Sequence, residues 1–203
     1  MSTWKIATVA GLVGLTVSAN ATFYTSEAAF LAAIDPTFYL EDFSSFTFGS
    51  PLDGTQTSWN APGGNGYGWT ASAVQGLWSN TSALSTNVAN DPIVISFTGL
   101  PVTAFGGFLN NTDIGGSSQG GTVTMLMSNG DTLTVNDGTF LGWVGSTAVS
   151  SATITAAGVG LDWGQLDHAY TGEIATSVPE PASMAALGLG AIALLRRRKS
   201  AKK

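Results

Sequence analysis

The chain contains no cysteine. A domain folded from it has no disulfides, so its stability comes from burial or from a bound metal. Basic residues are almost as scarce. The seven Lys and Arg are Lys5, Arg196, Arg197, Arg198, Lys199, Lys202 and Lys203, all near the two ends. The interval from Thr22 to Ser177 holds 12 of the 13 acids and no base, a net charge of −12. Nucleic-acid binding rests on Lys and Arg neutralising phosphates, so this composition excludes it. There is one histidine, His168, so no His-based zinc cage forms within the chain. It reads as an exposed loop residue. No G-x-S-x-G element and no cysteine nucleophile occur. The glycines of 63–68 (GGNGYG) lack a following Lys-Ser/Thr and a strand-to-helix context, so they are not a phosphate loop. No spacing singles out a carboxylate pair for glycoside hydrolysis. The expectation is a protein that is not an enzyme.

What is present is concentrated at the ends. Lys5 precedes an apolar stretch, Ile6 to Val17, and Ala19-Asn20-Ala21 fits an A-x-A cleavage site. Residues 1–21 therefore read as a signal peptide cut by signal peptidase between Ala21 and Thr22. The stretch is short and broken by Gly11 and Gly14, which argues against a membrane span. At the other end, Pro179-Glu180-Pro181 is followed by the uncharged run Ala182 to Leu195 and then by Arg196-Arg197-Arg198-Lys199. Those 14 residues cover about 21 Å as a helix, against a hydrocarbon core of about 30 Å. The run suits a transient anchor better than a permanent one. Arg196, Arg197 and Arg198 hold its end on the cytoplasmic side. The rival reading is a plain tail anchor without processing.

This three-part tail resembles the PEP-CTERM sorting signal, also known as the ice-binding protein C-terminal motif. The resemblance implies a Gram-negative bacterium and a precursor held briefly in the inner membrane, facing the periplasm. It also implies an exosortase-like enzyme that recognises Pro179, Glu180 and Pro181 and sorts the protein to the cell surface or extracellular matrix.

Residues 22–177 are long enough for one domain with a sizeable core, and 19 aromatics are available to fill it. Thr25 to Ile34 predicts a helix capped by Ser26, with Phe30, Leu31 and Ile34 on one face. Phe38 to Phe48 predicts one or two strands. Asp53 to Asn87 predicts loops around short strands. Strands are predicted over Pro92 to Leu100, Val102 to Asn110, Phe140 to Val144, Ala152 to Ala156 and Val159 to Leu166. Thr122 to Val135 predicts a hairpin turning at Asn129-Gly130, and Gly106-Gly107 marks a bulge or a close backbone approach. The fold class is mainly β: an antiparallel sandwich or jelly roll with one short N-terminal helix, flanked by a signal peptide and a C-terminal hydrophobic helix. The order also resembles sandwich domains carried by PEP-CTERM proteins, through Ala28-Ala29-Phe30-Leu31, Thr103-Ala104-Phe105-Gly106-Gly107, Asn129-Gly130 and Gly160-Leu161-Asp162.

Two ligand classes suit this composition. Trp59, Tyr67, Trp69 and Trp78 lie among Asn, Gln and Ser, and flat aromatic faces stack on sugar rings. Core filling is the competing use of each. Unpaired carboxylates are natural calcium ligands. Resemblance to carbohydrate-binding jelly rolls would place a structural calcium between Glu41 or Asp42 and Asp162. A second candidate is the loop Asn110 to Asp113. The competing reading is solvated turn acids. The pairs Thr122/Thr124, Thr132/Thr134 and Thr153/Thr155 each put two hydroxyls on one strand face. Their spacing shows no repeat, as an ice-binding array would need, and outward threonine on half-exposed strands accounts for them.

The sequence thus points to a non-catalytic exported protein, 178–203 being its sorting signal, associated with exopolysaccharide. The alternative is a lectin-like or weakly hydrolytic module with a structural calcium.

Overall fold

A computed structural model describes residues 21–158 and 160–176. The signal peptide with Ala19, the sorting motif, the hydrophobic run and the Arg cluster lie outside the described residues.

Thirteen strands and one helix form in this order. β1 (Thr22–Tyr24) leads to helix α1 (Glu27–Leu31) and β2 (Tyr39–Glu41). β3 (Ser58–Asn60), β4 (Tyr67–Ser72), β5 (Leu77–Asn80) and β6 (Ala83–Thr86) follow. Then come β7 (Ile93–Gly99), β8 (Val102–Thr112), β9 (Thr122–Met127) and β10 (Thr132–Asn136). β11 (Thr139–Val149), β12 (Ser151–Ala157) and β13 (Trp163–Gly172) complete the domain.

The strands make two antiparallel sheets. One runs β1-β11-β8-β13-β6-β5, with β2 also on β13; the other runs β10-β9-β12-β7-β4-β3. Period-two alternation explains the second sheet. Tyr67, Trp69, Ala71, Ile93, Ile95, Val123, Met125, Met127, Ala152 and Ile154 are buried, while their neighbours along each strand face outward. These side chains meet Phe105, Leu109, Leu141, Trp143 and Leu166 of the first sheet in one core. A second cluster lies on the other side of the first sheet, where Phe30 and Ile34 pack on Ala104, Phe140, Val144 and Tyr170.

Helix α1 is shorter than expected. Ser26 caps it, and its hydroxyl accepts the Ala29 N–H at 3.5 Å. The turn ends because Ile34 is drawn into a bridge with Ile174, while the Asp35 N–H donates to the Glu173 carbonyl at 2.9 Å. Five residues cannot hold a helix by propensity, so the Phe30 anchor does. The Tyr170 hydroxyl adds a hydrogen bond to Glu27.

The hairpin forms where expected, with Gly130 at φ +94° and Asn129 Oδ1 accepting the Asp131 N–H at 3.0 Å. The last strand is a correction. It spans Trp163–Gly172 rather than 159–166. Gly160-Leu161-Asp162 is a turn, in which Asp162 Oδ2 accepts the Gly158 N–H at 2.8 Å. Beyond Leu166, β13 continues under β2, which buries Ala169, Tyr170 and Thr171. Its pairing with β8 shifts register between Asp167 and Tyr170, opposite Gly107. His168 occupies that bulge at φ +50°, in a strand and not in a loop. Gly106 and Gly107 thus serve a close approach, and the bulge falls on the partner strand.

Candidate functional site

A recess opens beside the β5 edge of the first sheet. In β5, Leu77 and Ser79 are fully buried, which turns Trp78 and Asn80 outward. Trp78 lies opposite Ser85, which lies opposite Gln165. The first residue of β13, Trp163, lies opposite Thr112, the last of β8. The register thus sets two indoles around one cavity of about 260 Å³, lined also by Phe48, Asn80, Thr112 and Asp113. Phe48 packs edge-on to Trp78 with ring centroids 5.3 Å apart. Trp163 Nε1 donates to the Asn87 carbonyl at 3.4 Å, which fixes the ring.

A tight loop forms one lip. Asp113 Oδ1 accepts the N–H groups of Gly115 at 2.8 Å and Ser117 at 2.9 Å. The Asp113 N–H donates to the Ser117 carbonyl at 2.8 Å. This arrangement projects Ile114, 78% exposed, beside the equally unprotected Phe48 at 60%. Large apolar side chains standing in water at the mouth of a recess mark a contact surface.

The four aromatics singled out from the sequence do not form one platform. Trp69 is 1% exposed and Tyr67 6%, both inside the main core. Trp59 packs edge-on to Trp69 at 5.4 Å and to Phe46 at 5.1 Å. These three belong to the second sheet and to the interior, so they fill the core. Trp78 alone reaches the recess, where it meets Trp163 and Phe48. Sequence reading passed over both. The signal for Trp163 was its place two residues after Leu161, at the end of a turn; the signal for Phe48 was weaker.

The four carboxylates proposed for calcium fall in two separate places, Glu41 with Asp42 beside the middle of β13, and Asp162 with Asp113 at the adjoining ends of β13 and β8. Glu41 lies opposite Ala169, and Asp162 precedes Trp163, so about seven residues of β13, roughly 23 Å, separate them. Most of their oxygens are also occupied, Asp113 Oδ2 excepted. Glu41 Oε2 accepts the Tyr39 hydroxyl at 2.6 Å, and Oε1 accepts the Phe43 N–H at 3.0 Å. Burial first, and then Glu41, push the Tyr39 phenol above its usual range, so it stays a donor at neutral pH. Asp42 Oδ1 accepts the Ser44 N–H at 2.9 Å, and its carboxyl sits below its usual value through that bond. Asp162 Oδ1 accepts Asn111 Nδ2 at 2.6 Å. Asn111 Oδ1 is buried without a partner among the described residues, but the carboxylates around it face N–H donors. Asp137 accepts the Asn111 N–H at 2.6 Å and the Gly120 N–H at 3.0 Å. A cation needs oxygens free of such donors. Among the described residues no three His, Asp or Glu side chains could hold a metal. These residues do not fit a calcium centre.

The tail supplies the clearest likeness to known proteins. The family model of the PEP-CTERM protein-sorting motif matches residues 177–199. The tail is a PEP-CTERM sorting motif. The match spans Pro179-Glu180-Pro181, the apolar run and the Arg cluster. A PEP-CTERM tail implies an exported protein, recognised by an exosortase-type enzyme from a membrane-anchored precursor. Neither a curated protein nor a solved structure shows significant similarity to the chain. Among the described residues no helix is long and apolar enough to cross a membrane.

Proposed function

We propose that the mature protein is a non-catalytic component of the cell surface or extracellular matrix that holds exopolysaccharide in the Trp78–Trp163 recess. The observation that carries this reading is the pairing of two half-buried indoles with amide and hydroxyl groups around one cavity. Indole faces stack on sugar rings, while Asn80 and Thr112 offer hydrogen bonds to hydroxyls. The cavity is slightly below the roughly 300–1,000 Å³ of sites that enclose a drug-sized ligand. It suits one or two rings of a chain that continues into solvent.

A non-catalytic role is supported by the lining. Glycoside hydrolysis takes two carboxyl groups flanking one bond, and Asp113 is the one carboxylate among the residues of the recess. In this reading signal peptidase removes residues 1–21, after which the precursor faces the periplasm until sorting releases it to the surface.

Two experiments test the proposal. Glu180→Ala should leave uncleaved precursor in the inner membrane, and unchanged surface delivery would overturn the sorting part. Retention of the exported protein on bacterial exopolysaccharide should fall on Trp163→Ala. Equal retention would overturn the binding part.

A further inference from the structure

We infer that the recess takes an amine-bearing glycan, one whose sugar units carry a free ammonium group. The inference rests on reading the recess as a glycan site and names the class of sugar. It starts from charge. No Lys or Arg lies between Thr22 and Ser177, and the one histidine, His168, is outside the recess, so no cationic side chain there can pair with a uronate carboxylate. Asp113 is the ionisable group in the lining. Its Oδ1 is committed to the N–H groups of Gly115 and Ser117. Its Oδ2 accepts no hydrogen bond among the described residues, and no basic side chain competes for it. A free carboxylate oxygen beside two indoles is complementary to an ammonium in two ways. It gives a charge-assisted hydrogen bond, and the ring faces attract cations. An acidic polymer would instead set like charges together in a domain of net charge −12.

The mature protein, exported and released by its own host, is applied to immobilised chitosan, to its N-acetylated counterpart and to alginate at about pH 5.5, above the ordinary carboxylate range. Retention on chitosan should exceed that on the acetylated polymer by about tenfold, the effect of one charge-assisted bond, and alginate should not be retained. Short soluble glucosamine oligomers should quench tryptophan fluorescence and compete for the column. A domain this acidic also attracts any polycation, so two variants with the same charge change are compared. Asp113→Asn keeps the Oδ1 acceptor for Gly115 and Ser117, hence the loop, and should erase the preference for the free amine. Asp42→Asn, at an exposed carboxylate beside His168 and outside the recess, should keep it. Equal loss in both variants, no change in Asp113→Asn, or retention on alginate would overturn the inference while leaving a glycan site standing. Failure to retain any polymer, neutral ones included, would remove the glycan reading itself.

Discussion

The ring of Phe30 stands where a Cβ on Gly142 would have to be. Gly142 lies opposite Gly106, and the two bare backbones make the shallow floor on which α1 docks. Gly142→Ala should therefore overpack this contact and cost about 1–3 kcal/mol. A domain of this size loses about 2–4 °C of melting temperature per kcal/mol. Phe30→Leu in the same background should recover part of the loss, and strict additivity of the two changes would refute the contact.

The two tryptophans named first from the sequence and from the structure should separate by phenotype. Trp69 is buried, so Trp69→Ala should cost about 3–5 kcal/mol. Its Nε1 has no hydrogen-bond partner among the described residues, so Trp69→Phe should be much milder. Trp163→Ala should leave the melting temperature near that of the parent and lower polysaccharide retention about tenfold, or 1.4 kcal/mol. Chemical denaturation and affinity electrophoresis on the same preparations read both.

Asp162 holds the turn before β13 through Asn111 Nδ2 and the Gly158 N–H. Asp162→Ala strands these donors and should destabilise by about 1–3 kcal/mol. Because most of these carboxylate oxygens already accept donors and no three acids converge among the described residues, calcium at about 1 mM should not raise the melting temperature of the parent. A calcium-dependent rise lost in Asp162→Ala would reveal a metal site instead.

The Asp35 carboxyl is held below its ordinary value of 3.8 by the Thr37 hydroxyl and then by the Thr37 N–H. A depressed folded-state pKa gives stability that is present above the unfolded value and lost as pH falls through the folded one. Thr37→Val removes the hydroxyl bond, so it should melt below the parent at neutral pH. The two curves should converge in acid, once the pH has fallen through the lowered folded-state value and the carboxyl is protonated. Taking the difference between the proteins cancels the relief of general charge repulsion on acidification.

What was legible in the sequence followed from local signals. Ser26 with Glu27 and Phe30 marked the helix, and Asn129-Gly130 marked the hairpin, because capping and turn chemistry act over a few residues. Many short strands separated by turn signals, after one early helix, pointed to the sandwich, although β4 to β6 were hidden in a region that reads as loops. The recess was not legible. Trp78 and Trp163 are far apart in the chain and become neighbours because β6 lies between β5 and β13. Trp69 looked equivalent to Trp78, and opposite orientations on their strands gave them opposite fates. The threonine pairs make the same point. Their sequence spacing has no period, yet strand register places Thr134, Thr124 and Thr155 side by side across β10, β9 and β12. The hydroxyl oxygens of Thr124 and Thr134 are 2.7 Å apart.

β13 joins the two ends of this molecule's business. Its first residue, Trp163, forms a wall of the recess, and its last, Gly172, stands just before the Ala175 N–H bond to the Ala33 carbonyl and the sorting tail. About 30 Å of strand, at roughly 3.3 Å per residue, lie between. In the proposed reading, the recess and the start of the sorting tail therefore lie toward opposite ends of one strand, so a polymer held at the first need not obstruct processing at the second.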